Sequence, residues 1–238
     1  MSAVRVLAIV HEASAGPGVF ADAARAHGAA LEEWHIARGG PAPRDARDYD
    51  AVISLGGAMH PDQQAGHPWL AHETLLLREL LDSGTPLLGV CLGAQLLAGA
   101  AGTPARRAEE PEIGWMEVQL TAGGAADPLL SSLPLRFSAF AWHSYVCPLP
   151  EGATALAHSP ACLQAFRTGE RAWGIQFHAE VSGEDAEGWI EDFRSDPDAI
   201  ELPLDWQQLR AQTRASIGAW NELGRGLCVR FLGAAARA

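Results

Sequence analysis

The chain has 238 residues, 48% hydrophobic and 19% charged. This composition excludes disorder and a collagen-like fibre, and the length is enough to bury roughly 70% or more of the surface an unfolded chain exposes. Seventeen basic residues, all of them arginine, stand against 29 acidic ones for a net charge of −12. Such a surface repels phosphate backbones, so no nucleic-acid partner is expected.

The elements follow in order. Val4 to Val10 is apolar, β-branched and short, and reads as a buried strand. It is too short for a signal peptide. Residues 15–18 break it, Phe20 to Ala30 has helical composition, and Leu31 to Ile36 reads as a second strand. Residues 37–48, with paired glycines and two prolines, are loop. Asp50 to Leu55 is a third strand, ending at Gly56-Gly57. Trp69 to Ser83 is amphipathic, with Leu75, Leu76, Glu79 and Leu80 at helical spacing and Gly84 as its cap. Pro86 to Val90 is a fourth strand and Leu92 to Gly99 a helix. The stretch from Pro86 to Pro104 carries no charge, but its four glycines and Gln95 suit a buried strand and helix better than a membrane span.

Beyond residue 113 the rhythm changes. Trp115–Thr121, Phe137–Val146, Thr154–His158, Cys162–Arg167 and Ala172–Phe177 are short strand-like runs with turns between them. Residues 183–195 read as helix, a break is expected at Asp196-Pro197-Asp198, and Leu204 to Ala238 reads as one or two helices with a break near Gly224-Arg225-Gly226. The expected fold is α/β: a mostly parallel central sheet with helices on both faces, a smaller antiparallel extension and a helical C-terminal tail. The expected organisation is a domain over 1–195 and a helical extension over 196–238.

The most informative stretch is Gly89-Val90-Cys91-Leu92-Gly93. Cys91 lies where a strand becomes a helix, and glycine stands two residues away on each side, as in the serine nucleophile elbow. A sharp strand-to-helix turn strains the nucleophile's backbone and brings neighbouring backbones too close for side chains. The helix N-terminus then favours a thiolate and offers N–H groups to an oxyanion. The residues leave a second reading open, that of a small buried core thiol. The other three cysteines lie outside such a setting and form no CxxC pair. All four read as reduced thiols of a cytoplasmic protein.

A cysteine nucleophile needs a base and the base an orienting group. In Gly174-Ile175-Gln176-Phe177-His178-Ala179-Glu180 an apolar strand ends at an imidazole, and a carboxylate follows two residues on. Continued extended backbone would put His178 and Glu180 on one face.

With these motifs the chain resembles the class I glutamine amidotransferases of the Cys-His-Glu type, and among them stand-alone proteins similar to the glutaminase domain of GMP synthase. The resemblance spans roughly residues 4–195. It rests on Leu55-Gly56-Gly57-Ala58-Met59-His60-Pro61, Pro68-Trp69-Leu70, the elbow through Gln95, Glu112-Ile113-Gly114-Trp115, Trp142-His143-Ser144-Tyr145 and the run from Gly174 to Glu180. It implies Cys91 as nucleophile, His178 as acid and base, and Glu180 as its orienting group. The backbone N–H groups of Gly57 and Leu92 would form the oxyanion hole. Gln95 and the main chain of Ser144 and Tyr145 would hold the amino-acid end of glutamine. The chain departs from the pattern at Ser144-Tyr145, where an acidic residue is frequent in the nearest subgroup, at Ala179 for a usual proline, and at Ala58 for a frequent one.

The implied activity is hydrolysis of the glutamine side-chain amide, with ammonia passing to a separate synthetase subunit. Hydrolysis of another γ-glutamyl amide and a non-enzymatic module on the same fold are the alternatives. No cofactor is expected, and without lysine no phosphate-binding G-x-x-x-x-G-K-[ST] loop is possible. His60, His67 and His72 fit no usual metal-ligand spacing, so no metal is expected. His143 reads as a hydrogen-bonded scaffold residue. The eight tryptophans are expected mostly in the core or at subunit contacts, with a homodimer as one possibility.

Overall fold

A computed structural model describes residues 3–192, 197–200 and 202–236 of the chain. Nine strands form a single sheet in the order β2-β1-β3-β4-β9-β8-β7-β5-β6. The parallel half consists of β1 (Arg5–Val10), β2 (Ala30–His35), β3 (Ala51–Ser54), β4 (Leu87–Val90) and β9 (Ala172–Ile175). The antiparallel half adds β5 (Arg106–Leu120), β6 (Arg136–Val146), β7 (Thr154–His158) and β8 (Leu163–Thr168).

The run of apolar residues in β1 is continuous because both faces of the sheet are covered. Val6, Ala8 and Val10 join one core cluster and Leu7 and Ile9 the other. The first cluster is closed by α1 (Gly18–Ala26), α5 (Gly183–Asp192) and the long α7 (Trp206–Ala235). The second is closed by α2 (Trp69–Asp82) and α3 (Leu92–Ala100). The described residues also include the short helices α4 (Ala122–Ala126) and α6 (Pro197–Ile200), and 3-10 turns at Ile36–Arg38 and Ala46–Asp48. The expected α/β architecture with helices on both faces is the one observed.

The run ending at Phe177 contains β9, which joins the two halves of the sheet, pairing in parallel with β4 and antiparallel with β8. Two details differ from the sequence reading. In α2 the buried face is Leu70, Glu73, Leu77 and Leu80, whereas Leu75 is 64% exposed. The expected break at residues 224–226 is absent, since α7 runs unbroken. Gly224 is there for contact: a Cβ on it would sit 2.0 Å from the Ala179 carbonyl oxygen. The expected break at residues 196–198 and the boundary at 195/196 involve residues outside those described. No described helix is long and apolar enough to cross a membrane.

Candidate active site

Three neighbouring parallel strands, β3, β4 and β9, run in register, with Ser54 beside Gly89 and Gly89 beside Gly174. Their carboxyl ends deliver the Gly56-Gly57 loop, Cys91 and His178 to one place. Crevices at the carboxyl ends of such strands are where open α/β sheets hold ligands.

Cys91 has φ 49° and ψ −107° and is the one non-glycine residue with positive φ among those described. Its N–H donates to the Ile175 carbonyl at 2.8 Å, which ties the turn to β9. The flanking glycines leave no room for side chains. A Cβ on Gly89 would lie 2.5 Å from the Gly93 oxygen, and one on Gly93 would lie 2.1 Å from the Ser54 oxygen. A strained residue held this firmly turns its side chain, itself almost fully buried, to the pocket wall at the head of α3.

His178 is anchored by its own N–H, which donates to the Phe140 carbonyl at 2.8 Å. Its carbonyl accepts from Trp220 Nε1 of α7 at 2.7 Å, and its ring meets Trp189 edge-on at 4.7 Å. His178 Nδ1 lies 2.8 Å from Glu180 Oε1, and both side chains are almost fully buried. A carboxylate there accepts from Nδ1–H and leaves Nε2 for the thiol side. Burial disfavours the imidazolium, but the Glu180 charge and the Cys91 thiol outweigh it and push the His178 pKa up to about 10.

A pocket open to solvent brings together Cys91, His178, Gly57, Gln95, Ser144 and Tyr145. The Leu92 side chain packs into the core on the α2–α3 face, and Leu92 is not among the residues that line the pocket. Among the described residues, neither the Gly57 nor the Leu92 N–H donates to a protein acceptor. Gln95 is buried, and its amide donates to the Tyr145 carbonyl at 3.2 Å. Tyr145 donates its hydroxyl to Asp62 at 2.7 Å and stacks on His60.

The sequence reading missed four contributors. Glu12 lines the pocket and accepts the Ala58 N–H at 3.0 Å, tying down the loop after Gly57. Its position just past the end of a parallel strand was the available signal. Asp198, in α6, also lines the pocket. Burial would raise its pKa, but the Ser144 hydroxyl and Arg107 outweigh that and hold it below the usual value. Trp142 and Trp189 form pocket wall rather than plain core.

The three histidines at 60, 67 and 72 form no metal-capable group among the described residues. A different trio does gather: Glu112, His143 and Cys162 lie within 4.8 Å of one another. The Glu112 carboxylate accepts from Gln164 at 2.7 Å and from the Cys162 thiol at 3.1 Å, and lies 3.3 Å from His143 Nε2. His143 is therefore not the hydrogen-bonded scaffold residue expected: both of its buried ring nitrogens lack a hydrogen-bond partner among the described residues, and Nε2 only approaches Glu112. All four cysteines are unpaired, and burial pushes the Cys162 and Cys228 thiols up to about 12.

The sequence matches the family model described as glutamine amidotransferase class-I over residues 22–194. The fold is similar to that of a glutamine amidotransferase of Thermotoga maritima, with a TM-score of 0.87 and 30% identity over 97% of this chain and 99% of that one. The sequence is 33% identical over 153 residues to a gamma-glutamyl-L-1-hydroxyisopropylamide hydrolase of a Pseudomonas species, covering 60% of this chain and 50% of the relative. It is 39% identical over 105 residues to a glutamine-hydrolyzing GMP synthase subunit of Methanoculleus marisnigri, covering 43% of this chain and 55% of the relative. The matches thus span about half the length of these two curated relatives.

Proposed function

The chain belongs to the class-I glutamine amidotransferase family, and from that premise we propose that it hydrolyses the γ-amide bond of glutamine or of a related γ-glutamyl amide through a Cys91 thioester. The observation that carries this reading is the strained Cys91 sharing a pocket with the buried His178–Glu180 pair.

Cys91 Sγ, its proton already held on His178 Nε2, bonds to the γ-carbonyl carbon as the carbonyl π electrons move to oxygen. The resulting oxyanion lies against the N–H groups of Gly57 and Leu92, and losing one such donor costs about 100–1000-fold in rate. The C–N bond breaks as the leaving nitrogen takes the proton from His178. Water then attacks the thioester and gives its proton to His178. The C–S bond breaks, and glutamate leaves with the proton from water held on His178 beside Cys91, as at the start. Gln95, Ser144 and Tyr145 hold the amino-acid end of the substrate.

Two relatives favour different substrates within this chemistry. The Methanoculleus protein is named as part of a glutamine-hydrolyzing synthase, which favours glutamine as substrate, with ammonia accepted by a separate synthetase subunit. The Pseudomonas protein is named as the hydrolase of a substituted γ-glutamyl amide, which favours an amine leaving group and no protein acceptor. The test is glutamate release by the purified chain from L-glutamine and from a panel of γ-glutamyl amines, with Cys91→Ser beside it. Faster release from a substituted amide selects the hydrolase reading, and release from glutamine alone selects the glutaminase reading. Undiminished release by Cys91→Ser overturns both.

A further inference from the structure

Behind the Gly56-Gly57 loop, on the side away from Cys91, lies a second histidine–carboxylate pair that the proposed reaction does not use. His11 follows β1, is 2% exposed and stacks on Trp69 at 5.1 Å. Its Nε2 is 2.7 Å from Glu73 Oε2 and its Nδ1 is 3.0 Å from the Gly56 carbonyl oxygen. The other Glu73 oxygen accepts the Ser54 hydroxyl at 2.7 Å. Glu73 comes from the middle of α2 and is fully buried.

A carbonyl oxygen and an ionised carboxylate only accept hydrogen bonds. Facing the Gly56 carbonyl, the His11 ring donates from Nδ1, and a charge on the ring would let Nε2 donate to Glu73 as well. Burial opposes that charge, but Glu73 and the Gly56 carbonyl outweigh it, and the His11 pKa lies above its ordinary value.

The carbonyl that His11 holds belongs to the same peptide unit as the Gly57 N–H. In a trans peptide the two point in opposite directions, and no peptide bond among the described residues is cis. Drawing the Gly56 oxygen toward His11 therefore turns the Gly57 N–H the other way. The loop fills the gap between the two imidazoles. A Cβ on Gly56 would lie 2.8 Å from His178 Cε1, and one on Gly57 would lie 2.9 Å from His11 Cβ.

We infer that His11, itself held by Glu73 and Ser54, is a positioning residue that locks the Gly56–Gly57 peptide with its N–H facing the reacting carbonyl. The inference rests on the reading of Gly57 as an oxyanion donor. A peptide free to rotate would present its carbonyl to the developing negative charge and repel it.

Two substitutions separate this role from plain packing. In His11→Asn the side-chain amide can stand where Nδ1 stands and still donate to Gly56. In His11→Gln it reaches the Nε2 position, bonds Glu73 and leaves the Gly56 carbonyl unheld. The expected result is a fall in kcat of about 100-fold for His11→Gln with KM little changed, and a kcat for His11→Asn within about tenfold of the parent. Equal kcat values for the two variants, or a loss confined to KM, would overturn the inference.

Two readouts do not depend on turnover. In ¹⁵N NMR of the parent protein at pH 7 His11 Nδ1 should be protonated, and an unprotonated Nδ1 would overturn the inference even if neither variant folds. In a crystal structure of His11→Gln the Gly56–Gly57 peptide should be rotated, and an unmoved peptide would overturn it. Absence of Cys91-dependent turnover in the parent would count against the proposed function, while these two readouts would still decide the role of His11.

Discussion

The two histidine–carboxylate pairs on either side of the Gly56-Gly57 loop are built alike and placed differently. His178–Glu180 and His11–Glu73 are both buried, at 2.8 and 2.7 Å. In the first, the second ring nitrogen faces a thiol in an open pocket. In the second, it faces a backbone carbonyl behind that pocket. A proton can move only where the partner accepts it in one step and returns it in the next. The thiol and a leaving amine can do so, but a peptide carbonyl cannot. On the proposed reading, the same kind of pair shuttles a proton in one setting and holds a peptide in place in the other.

Breaking the two pairs should give different readouts. The largest effect belongs to the pocket side. Removing the proton carrier with His178→Ala, or the nucleophile with Cys91→Ser, should lower kcat by about 10³–10⁴-fold, measured as initial rates of glutamate release. On the far side, Glu73→Ala leaves the buried His11 Nε2 and Ser54 hydroxyl without their partner. It should cost about 3–5 kcal/mol of stability, seen in denaturant unfolding. If His178→Ala spared the rate, or Glu73→Ala left stability intact, the contrast between the pairs would fail.

A smaller effect sharpens the pocket side. Glu180→Gln keeps the shape of the pair and removes the charge that raises the His178 pKa, so kcat should fall by about 100-fold. The alkaline limit of kcat/KM, set by loss of the His178 proton near pH 10, should move down in the same variant. The sign for stability is consistent. A folded pKa of about 10 against an ordinary 6.5 gives a contribution complete below pH 6.5 and lost as pH rises through 10. Unfolding of the parent and of His178→Ala should therefore converge at high pH, and a constant difference would refute this.

The smallest effects concern the helix that braces His178 from behind. Gly224→Ala places a Cβ against the Ala179 carbonyl and should cost about 1–3 kcal/mol. It should also lower the rate, because Trp220 of the same helix holds the His178 carbonyl. Two residues on, Gly226→Ala meets open space within the same helix and should stabilise by about 0.5–1 kcal/mol. Both are read in a thermal melt, and equal shifts would show that Gly224 is not a contact position.

Much of the pocket side was legible in the sequence because its signals are local. Gly89, Cys91 and Gly93 encode a strained turn within five residues, and His178 and Glu180 sit two apart at a strand end. The alternation of strands and helices up to residue 100 likewise carried the parallel sheet. The far side was not legible. His11 and Glu73 are 62 residues apart, and each alone reads as an ordinary polar residue near the end of one element or within another. Asp198 joins the pocket from a four-residue helix that no periodicity marks.

Backbone sterics and short-range periodicity wrote their features into the chain directly. These are the buried strands, the amphipathic helices, the elbow at Cys91 and the His-x-Glu run. Three outcomes came from the tertiary structure alone: β9 lies between β4 and β8 and joins the two halves of the sheet, α7 passes residue 224 without a break, and a second imidazole stands behind the Gly56-Gly57 loop. They depend on which distant surfaces meet. Strand neighbours, a glycine kept for contact and a buried ion pair have no energy until the partner arrives, and so leave no periodic trace in the chain.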